Sequence, residues 1–161
     1  MEEEFIKAYD AHADAIFRHC YLRISDRETA LDLTQETFRR TWDYIAEGKE
    51  IRNMRAFLYR VAHNLLVDEY RKRKHLSLEQ LAEDGFQLGA FEEVDFGKNI
   101  DYQYVIKNIE GLDSIYREAL LLRYVEELSI KEIADIIKET ENVVSVRINR
   151  GLAKLRSYEH D

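Results

Sequence analysis

The sequence predicts an all-α protein of two small helical domains joined by a flexible acidic linker, and three observations carry that prediction. None of the 161 residues is proline, so the commonest helix breaker is missing. Apolar residues recur at helical spacing through two long stretches. Between them, residues 76–101 hold seven acidic groups and one basic group, together with Gly85, Gly89 and Gly97, and the periodicity fades. The expected organisation is a domain over 1–75, a linker over 76–100 and a second domain over 101–161.

In the first domain, Phe5, Tyr9, Ile16, Phe17 and Cys20 trace one face of a helix from Glu3 to Leu22. Ser25 with Glu28 has capping-box spacing and predicts the start of a second helix. Its stripe runs through Ala30, Leu31, Leu33, Thr34, Phe38, Trp42 and Ile45, and Gly48 ends it. Asn53 is the expected N-cap of a third helix, with Phe57, Leu58, Val61, Ala62, Leu65, Leu66 and Tyr70 facing the core. Arg71, Lys72, Arg73 and Lys74 close it, where cations also suit the helix dipole.

The linker is expected to hold at most one short helix, near Leu78 to Ala82. Beyond it the pattern predicts a short helix at Tyr102 to Ile109, then helices at Ser114 to Tyr124, Ser129 to Lys138 and Glu141 to Ser157. Ser129 and Glu132 repeat the capping-box spacing, and Ile130, Ile133, Ala134, Ile136 and Ile137 supply a buried face. Two successive helices with a tight turn between them suggest a helix-turn-helix. The last helix interleaves Val144, Ile148, Leu152 and Leu155 with Arg147, Arg150, Lys154 and Arg156. That spacing suits a recognition helix, and equally an ordinary amphipathic helix with a solvated face.

Composition removes several function classes. Hydrophobic residues at 45% and charged ones at 35% suit a soluble protein with a core. Apolar runs such as Ala119 to Leu122 are far too short to span a bilayer, and Met1-Glu2-Glu3-Glu4 is no signal sequence; the expectation is a cytoplasmic protein without membrane insertion. Cys20 stands alone, which excludes an internal disulfide and a cysteine-pair zinc site. His12, His19 and Cys20 lack a fourth ligand at suitable spacing, so no metal is expected. No nucleophile triad, phosphate-cradling glycine loop or paired-carboxylate motif stands out, and Gly151 is isolated within a helix; neither an active site nor a cofactor is expected. The net charge of −8 argues against nucleic acid until its distribution is seen: residues 51–75 carry +5 and residues 138–161 carry +1. Because screening confines surface fields to about 10 Å at moderate salt, such islands can bind phosphate on an acidic protein.

Three blocks carry a family resemblance. Residues 26–38, Asp-Arg-Glu-Thr-Ala-Leu-Asp-Leu-Thr-Gln-Glu-Thr-Phe, resemble the polymerase-binding segment of bacterial extracytoplasmic-function sigma factors, the promoter-recognition subunits of RNA polymerase. Residues 56–64, Ala-Phe-Leu-Tyr-Arg-Val-Ala-His-Asn, are similar to the promoter-melting helix of that family, and residues 128–134 with 143–152 to its C-terminal helix-turn-helix. The resemblance implies that Asp32, Gln35 and Glu36, with Phe38 packing nearby and Arg39 on the same face, dock on core RNA polymerase, on a coiled coil of its β′ subunit; the β subunit is implied as the further core partner. It implies that promoter DNA is the second partner. Asn64 would contact a flipped base of the minus-ten element, with Lys49, Arg52, Arg55, Arg71, Lys72, Arg73 and Lys74 on phosphates. Asn142, Ser145, Arg147, Asn149, Arg150 and Lys154 would read the minus-thirty-five element.

The turn before the recognition helix departs from the family's usual Gly-apolar-Gly: it reads Lys138-Glu139-Thr140-Glu141-Asn142. Asn142 can either cap the helix or take a left-handed backbone, and Glu139 and Glu141 are expected to weaken duplex affinity by placing negative charge near phosphate. The acidic linker would thread the polymerase's active-site cleft and RNA exit path, or serve only as a spacer. Many relatives are held inactive by an anti-sigma protein, a further partner that the resemblance brings with it. The competing reading is a stand-alone helix-turn-helix regulator that binds duplex DNA and never touches polymerase.

Overall fold

The computed structural model describes residues 1–76 and 105–158. The chain divides into two compact units, Met1–Gly89 and Ala90–Asp161. All regular structure among the described residues is helical. The predicted short helix at 78–82 lies outside them.

The first unit is a bundle of α1 (Glu2–Ile24), α2 (Arg27–Ala46) and α3 (Met54–Leu76), each packed on the other two. Ile16, Cys20 and Leu22 of α1, Ala30, Leu33 and Phe38 of α2, and Leu58, Tyr59, Ala62 and Leu66 of α3 form its core. Three threonines on the buried face of α2 need partners for their hydroxyls. Thr34, Thr37 and Thr41 donate to the carbonyls of Ala30, Leu33 and Thr37 at 2.7–2.8 Å, so no hydroxyl in this row is left unsatisfied. Arg23 is buried as well. Its Nη1 donates to the His19 carbonyl at 2.8 Å, and Tyr70 Oη donates to the Arg23 carbonyl at 2.5 Å, tying α3 to the end of α1.

Several local expectations are corrected. Ser25 does not open α2; it closes α1 in the left-handed conformation (φ 55°), and Asp26, extended at φ −125°, is the N-cap. Leu31 is 41% exposed, so the apolar stripe of α2 is narrower than the sequence implied. Tyr70 and Tyr9 are also exposed rather than core. Gly48 ends α2 as expected, at φ 82°, a conformation that costs glycine little and other residues more. Asn53 caps α3 as expected: its Oδ1 accepts from the Ala56 N–H at 3.1 Å.

In the second unit a helical turn at 105–108 runs into a 3-10 turn at Ile109–Gly111. Then come α4 (Ser114–Leu120), α5 (Ile130–Ile137) and α6 (Glu141–Tyr158). The predicted helix from Ser114 to Tyr124 does not stay α-helical. From Leu121 to Val125 it widens to π-helix, and the Glu126 N–H reaches the Leu121 carbonyl at 3.0 Å. Ser129 and Glu132 form both bonds of the expected capping box. Asn142 does not cap α6. Thr140 does, its Oγ1 accepting from the Val143 N–H at 3.1 Å, while Lys138 adopts the left-handed conformation (φ 59°) that turns the chain.

α6 lies across α4 and α5 through Val144, Ile148, Gly151 and Leu155. Gly151 sets how closely α6 approaches α4: a Cβ there would stand 3.0 Å from Leu120 Cδ1 and 3.4 Å from Tyr116 Cβ. Leu120 is fully buried and has little room to move. Gly151→Leu is therefore expected to destabilise the second unit by about 1–3 kcal/mol, seen as a lower unfolding midpoint in chemical denaturation. An unchanged midpoint would show that the helices separate freely at this point.

Candidate functional site

The exposed side of α2 is a network of alternating charge. Residues three and four apart share a helix face, which joins Asp32, Gln35, Glu36, Arg39 and Asp43. Arg39 donates to Glu36 through Nη2 at 2.6 Å and Nε at 2.9 Å, and to Asp43 through Nη1 at 2.9 Å; Arg40 Nε donates to Glu36 at 3.0 Å. Hydrogen bonds from Arg39 and then Arg40 lower the Glu36 carboxyl to about 2. Asp32 and Gln35 stand exposed beside it. Phe38, expected near the docking surface, is only 3% exposed. It meets the Tyr9 ring edge-on at 4.9 Å and the Phe5 ring at 6.3 Å, and Trp42 meets Phe5 at 5.2 Å, so its place is beneath the polar face rather than on it.

The second surface lies where α2, the 47–53 loop and α3 meet. Lys49 Nζ lies 5.1 Å from the Tyr44 ring and 2.9 Å from Glu47 Oε2. Tyr44 packs on Phe57 with centroids 4.8 Å apart, and the Arg60 guanidinium lies 5.5 Å from the Phe57 ring. Asn64 is exposed one turn further along α3, on the same side as Phe57 and Arg60 by helical spacing. The result is a ladder of cation, aromatic, aromatic, cation and amide. Phe57 was expected in the core; it is half-buried and belongs to this ladder. Tyr44 was missed altogether, because it lies off the apolar stripe of α2 and only the packing of α3 gives it a partner.

The remaining basic residues of the first unit divide. Arg52, Arg71, Lys72 and Lys74 are exposed. Arg55 is half-buried with its guanidinium 5.6 Å from the Tyr59 ring. Burial first, and the Arg55 charge second, hold His12 below its ordinary value. Arg73 turns inward: it donates to Glu69 Oε1 at 3.3 Å and to Thr29 Oγ1 at 3.2 Å, with Asp26 Oδ2 at 3.8 Å. It fastens α3 to the start of α2. His19 and Cys20 are fully buried in the bundle, with His19 edge-on to Tyr59 at 5.2 Å.

On α6 the residues expected to read DNA separate onto two flanks. With successive residues turned by about 100°, Asn142, Asn149 and Arg150 lie on the side away from the buried stripe, and all three are exposed. Ser145 is half-buried at one margin of that side. Arg147 and Lys154, seven apart, share the opposite margin and have partners within their own unit. Arg147 Nη2 donates to Glu139 Oε1 at 3.4 Å, whereas Lys154 Nζ lies 3.6 Å from Asp113 Oδ2 and 4.6 Å from the Tyr116 ring. Lys154 thus serves α4 as much as any surface.

Among the described residues no group of three His, Cys, Asp or Glu is placed to hold a metal, and no helix is long and apolar enough to cross a membrane.

These surfaces can be set beside known proteins. The family model for sigma-70 region 2 matches residues 8–76, and that for sigma-70 region 4 matches residues 102–155. The chain is 30% identical to the ECF RNA polymerase sigma factor SigW of Bacillus subtilis, over 99% of this chain and 91% of that protein. It is 31% identical to the ECF RNA polymerase sigma factor SigE of Mycolicibacterium smegmatis over 91% of this chain, which corresponds to 58% of that protein. Among solved structures, the sigma factor RpoE of Bartonella quintana, crystallised with the anti-sigma factor NepR, shares the fold with a TM-score of 0.74 over 96% of both chains at 22% identity.

Proposed function

Because the chain belongs to the extracytoplasmic-function sigma factors and so directs RNA polymerase in promoter recognition and transcription initiation, we propose that its two units divide the promoter between them. Residues 1–75 bind core polymerase through Asp32, Gln35, Glu36 and Arg39, held on the support of Phe38, and take the minus-ten element as single strand. Residues 101–161 read the minus-thirty-five element as duplex through Asn142, Ser145, Asn149 and Arg150, with Arg147 beside them. Residues 76–100 tether the two. Bond formation belongs to the polymerase, and the complex works in the cytoplasm, where an anti-sigma protein, such as the one crystallised with RpoE, would compete for the same faces.

The observation that carries the division is the ladder through Lys49, Tyr44, Phe57 and Arg60, with Asn64 exposed one turn beyond Arg60 by helical spacing. Opening a duplex costs a few kcal/mol of unstacking, and a protein with no motor must offset it by holding the exposed bases. Half-buried rings flanked by cations provide π-faces for bases and charge for the backbone, worth about 1–3 kcal/mol per stacked base. A free-standing duplex-binding regulator has no use for such a surface, and the region 2 match over residues 8–76 does not favour that reading.

Photo-crosslinkers at Arg52 and Asn149, introduced into the full chain bound to core polymerase, test the division. The Arg52 probe is expected to label one strand of the opened region, and the Asn149 probe the upstream duplex. Labelling of one common segment by both probes would overturn it.

A further inference from the structure

The acidic turn that separates this chain from its family's usual pattern has a structural partner. Lys138 is left-handed and the Glu139 N–H donates to the Ala134 carbonyl at 3.0 Å, while Thr140 caps α6, so the backbone of Glu139 is held on both sides. From that fixed point its carboxylate reaches Arg147, one and a half turns into α6, at 3.4 Å. The Arg147 side chain is 24% exposed and that of Glu139 38%, so the pair lies on the solvent-facing surface of the helix-turn-helix, with Arg147 the more sheltered of the two.

We propose that Glu139 is a specificity-determining positioning residue that takes Arg147 out of general phosphate binding and holds its guanidinium in one orientation toward the upstream duplex; this rests on the reading of α6 as the duplex-reading helix. An arginine free to swing finds phosphate on any sequence and releases a counterion there, which raises affinity without selecting bases. Paired with a carboxylate, the same group is neutral as a unit and contributes little to that general attraction. Its five N–H donors are not exhausted by one oxygen contact, so the remaining edge points where the pair directs it. Glu139 therefore does more than weaken duplex binding: non-specific binding weakens more than specific binding, and discrimination rises.

The test is a double-mutant cycle in the full chain bound to core polymerase. Two double-stranded probes are used, a fragment selected from a random promoter library and the same fragment with its upstream element scrambled. Glu139→Gln keeps the shape and removes the charge. It is expected to raise affinity for the scrambled fragment, to steepen the slope of log affinity against log salt by about one, and to cut discrimination between the fragments by about fivefold. In an Arg147→Ala background the same substitution is expected to do none of these. Persistence of the Glu139→Gln effect in that background would mean direct repulsion of phosphate and would overturn the proposal, as would an unchanged salt slope in the single variant. Arg147→Ala and Arg150→Ala alone separate the two levels of the argument. If neither weakens binding to the selected fragment, the reading of α6 falls; if they weaken it while Glu139→Gln is silent, only the role of Glu139 falls.

Discussion

Replacing Gln35 by Ala together with Glu36 by Lys is expected to weaken binding to core RNA polymerase by about 30-fold or more, the loss that follows when a central interface residue worth about 2 kcal/mol is removed. The expectation comes from how the face is built. Glu36 accepts from two guanidiniums, Arg39 at 2.6 and 2.9 Å and Arg40 at 3.0 Å, and Arg39 bridges on to Asp43. Such surface pairs contribute little to folding, so their value lies in fixing where each charge points. With Lys in place of Glu36, three cations crowd one turn and the pattern that a partner would read is reversed. The fold should be unaffected, because all of these groups lie on the outer side of α2. The pH response follows from the same geometry. The Glu36 carboxyl is lowered to about 2, so the contribution of its charge is complete above the ordinary carboxylate value and is lost only as pH falls through about 2. Binding to core should accordingly be insensitive to this group between pH 5 and 8. Equal affinity of the wild-type and doubly substituted chains for core, measured by fluorescence anisotropy, would remove α2 from the interface.

The second large effect is expected at Asn64. Asn64→Ala should slow formation of the open complex by about tenfold or more while leaving binding to closed duplex nearly unchanged. An amide pairs with a base edge as donor and acceptor at once, and a good bidentate pair discriminates by about 1–3 kcal/mol. Asn64 is exposed and sits one turn beyond Arg60 and two beyond Phe57, so a base stacked on the ladder would present its edge to that turn. Permanganate reactivity of unpaired thymines would follow the opening, and a footprint of the duplex would follow the binding. Equal loss in both would assign Asn64 to general affinity instead of to the trapping of an unstacked base.

Much of this architecture was legible in the residues, and the parts that were not share a cause. Helical spacing located the helices, and Asn53, Gly48 and the Ser129–Glu132 box marked their ends, because each of those signals acts within one turn of chain. Ser25 misled because Asp26 beside it takes the extended N-cap position of α2, and the end of α1 had already claimed Ser25 for a left-handed turn. Thr140 and Asn142 competed for one cap in the same way. What periodicity could not supply is a partner from another element. Phe57 looked like core until Tyr44 and Arg60 enclosed it. Arg73, Lys154 and Arg147 counted as free positive charge until Asp26 and Thr29, Asp113, and Glu139 came within reach of them. Counting charges along the chain therefore overstates the phosphate-binding surface, whereas Arg52, Arg71, Lys72, Lys74 and Arg150 remain exposed.

The central claim is that this chain carries both the grip on polymerase and the grip on promoter. Mapping RNA 5′ ends made by core polymerase on a random double-stranded library, with and without the purified chain, tests it most directly. Discrete starts that appear only with the chain, each preceded by two common sequence elements at fixed separation, are the predicted result. Starts unchanged by its addition would contradict the account.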